Sequence, residues 1–256
     1  MPHLDRSGVA VYYAVHGQPA GRTPLLLSHG YSASSVMWEP NLPGLAADRQ
    51  VVTWDIRGHG RSASPEDPGQ YSEAASVADM AAVLDACGFE RAAVGGLSLG
   101  GYLSLAFWLA HPGRVSALLL FDTGPGFKND AAREAWNERA VSRAVAFESE
   151  GLGSLSNSPE VRRGDHDPRG LARAARGILT QHDARVIGAL PAVSVPVLVL
   201  VGADDQPFLA AADYMATKLP DATKVVLPDA GHASNIDQPE AFNTTVIDFL
   251  ERTSHR

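Results

Sequence analysis

Ser98 lies where a chemically active serine would be expected. The segment Ala92 to Leu97 is apolar, Leu99 opens a pattern typical of a helix, and glycines lie two positions before and after Ser98. A serine on so tight a turn between strand and helix needs these small neighbours, because a Cβ there would collide with adjacent backbone. The free N–H groups at the start of the helix would stabilise a negative oxygen formed beside the serine. This pattern predicts a nucleophile for acyl transfer.

A serine nucleophile needs a base, and His232 is the candidate. It follows Gly231 on a loop between an apolar run that ends at Leu227 and a helical pattern that begins at Pro239. Side chains on loops of this kind converge at the edge of a sheet, where an imidazole can take the proton of the serine. We therefore predict that His232 is the catalytic base.

Three carboxylates are candidates for orienting that imidazole. Asp204 and Asp205 follow the apolar run Val195 to Val201, and Asp122 follows the run Val115 to Phe121. Successive residues on an extended turn project in different directions, so only one of the neighbouring pair can readily reach the histidine. The acid would fix the imidazole tautomer and stabilise the imidazolium. The residues alone leave the choice among the three open.

The elements around these residues alternate between strand and helix. Apolar runs of strand length are Val9–Val15, Leu25–Leu27, Val51–Trp54, Ala92–Leu97, Val115–Phe121, Val195–Val201 and Lys224–Leu227, and helical patterns include Ser72–Cys87, Leu99–Ala110, Phe208–Leu219 and Pro239–Glu251. Continuous apolar runs are typical of strands that are buried on both faces, as in a parallel sheet. The alternation therefore predicts an α/β fold.

The alternation stops between Thr123 and Pro191. Helical stretches rich in Ala, Arg and Glu and a loop around residues 154–167 take the place of strands there. Long insertions on α/β sheets tend to lie near the functional site. We interpret residues 124–190 as a helical cap inserted between sheet strands, within a single domain of residues 1–256. The alternative is a surface elaboration that contacts no site.

Composition excludes several classes of function. The chain has 256 residues and a formal net charge of -8, and its Lys and Arg residues are scattered, so we expect neither a nucleic acid nor a membrane as partner. The apolar runs are too short to cross a bilayer. The first residues lack the pattern of a secretory signal, and Cys87 is the single cysteine, which together predict a cytoplasmic protein.

With these motifs the chain resembles the α/β-hydrolase family over essentially its whole length. Two further segments carry the resemblance: His29-Gly30-Tyr31 is similar to the family's oxyanion loop, and Asp55 to Ser62 is similar to its turn after the next strand. The resemblance implies a mostly parallel eight-stranded sheet with helices on both faces and a helical cap. Arg57 and His59, in the second segment, would then be structural.

The resemblance also implies roles for single residues. One oxyanion N–H would come from Leu99, the residue after the nucleophile, and the other from Tyr31. The family's pattern of a glycine, two residues and then the acid, counted from Gly202, leads to Asp205. Asp204 and Asp122 remain as second and third choices.

The expected activity is hydrolysis of a small carboxylic ester or lactone through an acyl-enzyme, without a metal or other cofactor. A serine at the position of Ser98 argues against relatives that attack with an aspartate, such as haloalkane dehalogenases and epoxide hydrolases. The segments Gly96–Gly101 and His232–Asn243 resemble those of enol-lactone hydrolases and small bacterial carboxylesterases. The alternatives are an acyltransferase or perhydrolase that uses the same acyl-enzyme, or a hydrolase-like receptor with little turnover. The expected partner is a small-molecule substrate, and we allow for a homodimer.

Overall fold

The computed structural model describes residues 2–161 and 166–253. The strands are β1 (His3–Arg6), β2 (Val9–His16), β3 (Leu25–Ser28), β4 (Val51–Trp54), β5 (Ala92–Leu97), β6 (Val115–Phe121), β7 (Val197–Gly202) and β8 (Ala222–Leu227). The helices are α1 (Leu42–Leu45), α2 (Glu73–Ala86), α3 (Leu99–Ala110), α4 (Asp130–Glu150), α5 (Pro168–Ala174), α6 (Arg185–Ala189), α7 (Gln206–Lys218), α8 (Ser234–Asp237) and α9 (Pro239–Thr253).

The eight strands form one sheet in the order β1-β2-β4-β3-β5-β6-β7-β8. The pairs β1/β2 and β2/β4 are antiparallel, and every pair from β4 to β8 is parallel. The predicted α/β architecture with a mostly parallel eight-stranded sheet is confirmed.

The edge strand β1 was not predicted from the apolar runs of the sequence. Its residues alternate between exposed and half-buried, so it carries no continuous apolar signal. Ser7 and Gly8 connect it to β2 with φ of 57° and 85°, which suits a tight hairpin turn. A short polar edge strand of this kind is recognised by its turn rather than by its hydrophobicity.

The central strands bury both faces, which explains their unbroken apolar runs. In β3, Leu25 and Leu27 pack in the same cluster as Phe242 of α9, whereas Leu26 packs in the opposite cluster with Phe107 of α3. Helices therefore cover the sheet on both sides, and the carboxyl ends of the parallel strands meet at one edge, where sites of open α/β sheets form.

The segment between β6 and β7, residues 124–190, is the inserted segment of the following sections. Its described residues contain α4, α5, α6 and shorter helical turns but no strand. Residues 162–165 of the predicted cap lie outside the described residues. Across the described chain, no helix combines the length and the apolar character needed to span a bilayer.

Candidate active site

Ser98 links β5 to α3 in a strained backbone conformation. Its φ of 54° and ψ of -114° are rare for a residue with a side chain. Hydrogen bonds hold this conformation from both sides: the N–H of Ser98 donates to the carbonyl of Phe121 at 2.9 Å, and the carbonyl of Ser98 accepts from the hydroxyl of Thr123 at 2.5 Å. Strain that is fixed in this way is typical of functional sites.

The glycines around Ser98 have the role that the sequence predicts. A Cβ on Gly96 would lie 2.5 Å from the carbonyl oxygen of Ser28 and 2.6 Å from the backbone of Gly100, and a Cβ on Gly100 would collide with the same carbonyl. Strand β3 therefore runs directly against the turn, and no larger residue fits at either position.

Two backbone amides lie free beside this turn. A Cβ on Gly30 would lie 3.6 Å from the Cβ of Ser98, which places the loop of Gly30 and Tyr31 next to the serine. Within residues 2–161 and 166–253, the N–H groups of Tyr31 and Leu99 have no hydrogen-bond acceptor. Donors of this kind, next to a nucleophile, are candidates for holding an oxyanion.

His232 and Asp205 form a direct pair. Nδ1 of His232 lies 2.8 Å from Oδ2 of Asp205, which is buried in the position directly before α7. An ionised carboxylate only accepts hydrogen bonds, so Nδ1 carries the proton and Nε2 is left as the basic nitrogen. Burial lowers the pKa of His232, but the hydrogen bond and charge of Asp205, with the charges of Asp122 and Glu160, outweigh it and raise that pKa above its ordinary value.

Phe208 was not singled out by the sequence, yet its ring contacts His232. The two rings are stacked, with centroids 5.0 Å apart and an interplanar angle of 23°. Phe208 lies in the first turn of α7, where its N–H donates to the carbonyl of Asp205 at 3.0 Å. An aromatic face against the imidazole favours its cationic form and limits its rotation.

The other two carboxylates have different surroundings. Asp204 is exposed, and its backbone N–H donates to the carbonyl of Ala230 at 2.9 Å. Asp122 is fully buried and accepts hydrogen bonds from the N–H of Gly202 and the hydroxyl of Ser234. Burial raises the pKa of Asp122 to about 7, against the opposing effect of these two bonds.

Ser98 and His232 lie on neighbouring loops at one edge of the sheet. The hydroxyl of Thr123 bonds to the backbone of Ser98, and the preceding residue, Asp122, bonds to Ser234, two residues beyond the histidine. In the part of the chain that the structure describes, no hydrogen bond joins Ser98 to His232. Catalytic hydrogen bonds in unliganded sites are often long and tighten only when substrate binds.

His29, His59 and Arg57 lie near this edge and have structural surroundings. The Nε2 of His29 accepts from the N–H of Ile56 at 3.0 Å, and Arg57 donates to both oxygens of Asp79 at 2.6 and 2.9 Å. Burial lowers the pKa of His29 to about 4 and that of His59 to about 3, so both are neutral near pH 7. These contacts agree with a structural role for the segment that contains Arg57 and His59.

The inserted segment contacts the loop of Gly30 and Tyr31 through the side chain of Tyr31. The hydroxyl of Tyr31 donates to the carbonyl of Leu171 at 2.9 Å, and its ring lies 6.4 Å from that of Phe147. Phe147 is 6% exposed, whereas Val145 and Leu152 are 50% and 44% exposed and point away from the core. Trp136, Ile178 and Leu179 pack in the main core instead. Only part of the apolar surface of this segment therefore faces the loop of Tyr31.

Metal ligation finds no support in the described residues, because none of their His, Cys, Asp and Glu side chains cluster in groups of three or more that could hold an ion.

Comparison with known proteins gives one consistent result. The profile of the alpha/beta hydrolase family matches residues 25–245. A Caulobacter segnis protein with the provisional name carbamate hydrolase RutD is 32% identical over 270 residues, which cover 94% of this chain and 96% of that protein.

Solved structures agree with the sequence comparison. The enol-lactonase from Burkholderia xenovorans LB400 matches with a TM-score of 0.83 at 27% identity, over 98% of this chain and 100% of that one. A thermophilic esterase from Thermogutta terrifontis, solved with malate bound, matches with a TM-score of 0.84 at 28% identity, over 98% of this chain and 97% of that one.

Proposed function

The chain belongs to the alpha/beta hydrolase family, and we propose that it is a serine hydrolase that cleaves a small carboxylic ester or lactone through an acyl-enzyme. The observation that carries this proposal is the 2.8 Å pair of His232 and Asp205, at the same sheet edge as a serine held on a strained turn. Further support comes from the named enol-lactonase and esterase that this chain resembles in fold.

The proposed mechanism uses each of these groups once per half-reaction. Nε2 of His232 takes the proton of Ser98 as its oxygen attacks the acyl carbon, and the amides of Tyr31 and Leu99 hold the resulting oxyanion. Asp205 stabilises the imidazolium, which then gives its proton to the leaving alcohol. A water molecule next attacks the acyl-enzyme with His232 again as base, and the acid is released as the oxygen of Ser98 regains its proton.

A carbamate is the second candidate substrate, because the relative at 32% identity is named as a carbamate hydrolase. The same nucleophile and oxyanion donors would serve, since a carbamate also presents an acyl carbon to the serine. The leaving group and the stability of the acyl-enzyme would differ.

The experiment that tests the proposal is a steady-state panel. It compares nitrophenyl esters of increasing acyl length, simple lactones and a nitrophenyl carbamate, with and without an added alcohol or peroxide. We expect turnover with water as acceptor on at least one ester or lactone. Binding without turnover across the panel would favour the receptor alternative, and products formed mainly with the alcohol or peroxide would favour the acyltransferase or perhydrolase alternative.

We further propose that the inserted segment is a substrate cap. Substitution of Phe147 tests this proposal. Replacing Phe147 with Ala removes the ring beside Tyr31, so we expect the ratio of kcat/KM between the longest and the shortest ester to change about tenfold, with the shortest ester little affected. The matched control is Val145→Ala, on the same helix but 50% exposed. Leu155, in the same segment, packs against the apolar cluster that contains Phe147. An unchanged ratio for Phe147→Ala and for Leu155→Ala would mean that this segment does not contact the acyl chain.

A further inference from the structure

The turn that follows β6 contacts all three loops on which the proposed catalytic residues lie. Thr123 donates its hydroxyl to the carbonyl of Ser98 at 2.5 Å. One oxygen of Asp122 accepts from the N–H of Gly202 at 2.8 Å, and its other oxygen accepts from the hydroxyl of Ser234. Gly202 ends the strand that leads to the acid, and Ser234 follows the histidine by two residues.

The position of Asp122 in this turn is energetically unfavourable for two reasons. Its side chain is fully buried, which penalises a charged carboxylate. Its φ is 46°, in the left-handed region that a residue with a side chain rarely adopts. A residue with both penalties persists only where its surroundings determine its conformation, and such residues cluster at functional sites.

We propose that Asp122 is a positioning residue whose carboxylate clamps the loop of Asp205 to the loop of His232 and thereby sets the contact between these two side chains. This inference rests on the proposed function of the His232 and Asp205 pair. It replaces the role of rival acid that the sequence left open for Asp122, since its two oxygens are bonded to Gly202 and Ser234.

Other contacts between the two loops do not replace this clamp. The N–H groups of Ala203 and Asp204 donate to the carbonyls of Leu227 and Ala230, which both precede the histidine in the chain. Asp122 instead bonds to Ser234, which follows the histidine in the chain. The loop of His232 is therefore tied down both before and after that residue. Without the clamp, the segment after the histidine would lose its buried tie to the acid loop, and a displacement of about 1 Å at such a site can cost about a hundredfold in rate.

The first test compares kcat and KM of Asp122→Ala, Asp122→Asn, Ser234→Ala and the double variant Asp122→Ala/Ser234→Ala on one ester. We expect Asp122→Ala to lower kcat about a hundredfold with KM within about twofold. Asparagine can still accept from Gly202 and contact Ser234, so Asp122→Asn should recover most of that loss. The double variant should be no worse than Asp122→Ala, because Ser234 acts through Asp122. Ser76→Ala, which removes a buried hydroxyl from α2, is the control.

A second readout needs no substrate, so it separates failure of the clamp from failure of the proposed function. The proton shared by Nδ1 of His232 and Asp205 should give a low-field NMR signal in the wild type and in Asp122→Asn. We expect that signal to broaden or disappear in Asp122→Ala and to weaken in Ser234→Ala. An unchanged signal in the folded Asp122→Ala or Ser234→Ala variant, or losses of kcat that simply multiply in the double variant, would overturn the proposal.

Discussion

Replacing Ser98 with alanine is expected to leave a folded protein whose turnover is about four to six orders of magnitude lower than that of the wild type. The hydroxyl of Ser98 is the only atom group lost, whereas the strained turn is held by backbone bonds to Phe121 and Thr123 that alanine retains. In the proposed mechanism, the amides of Tyr31 and Leu99 would remain in the variant and would still bind the acyl oxygen. The loss should therefore fall on kcat far more than on KM.

The matched control for Ser98→Ala lies in α3, the helix that directly follows Ser98. Ser104→Ala also removes one hydroxyl, which in the wild type bonds to the carbonyl of Gly100 at 2.7 Å. We expect this control to lower the free energy of unfolding by about 1 kcal/mol and to keep most of the activity. Retention of a tenth of wild-type turnover by Ser98→Ala would contradict the assignment of the nucleophile.

The second large effect is expected for Asp205→Asn, with a loss of about four orders of magnitude in turnover and little change in substrate binding. An amide at this position can donate to Nδ1 of His232, which would stabilise the wrong tautomer and offer no charge to the imidazolium. Steady-state kinetics on the ester that the wild type prefers would measure both parameters.

Asp204→Asn is the matched control, because it makes the same change one residue away on an exposed side chain. We expect it to stay near wild type, and Asp122→Asn to lose far less than Asp205→Asn. If Asp205→Asn kept its activity while either of the other two variants collapsed, the acid would be that residue instead.

The strands and the nucleophile turn could be predicted from the sequence because their signals are local. The runs Val51–Trp54, Ala92–Leu97 and Val115–Phe121 coincide with β4, β5 and β6, since burial on both faces requires an unbroken apolar segment. The pattern around Ser98 likewise follows from steric limits on one turn. By contrast, β1 is a polar edge strand, and its pairing depends on a hairpin turn rather than on burial.

The contacts between loops could not be predicted in the same way. Whether Asp204 or Asp205 faces His232 depends on the dihedral angles of one turn, and the count from Gly202 came from the resemblance to a family. The stacking of Phe208 and the clamp of Asp122 join residues far apart in the chain, which leaves no periodic signal. A left-handed aspartate directly after a strand is detectable only once the backbone is known.

The most direct test of the central claim is the site of covalent modification by a fluorophosphonate that mimics the acyl transition state. Mass spectrometry of the intact protein and of its peptides would locate the adduct in the wild type, in Ser98→Ala and in Ser104→Ala. We predict one phosphonyl group per chain on Ser98 in the wild type and in Ser104→Ala, and none in Ser98→Ala. An adduct on another residue, or a wild-type protein that hydrolyses esters while remaining unmodified, would contradict the account.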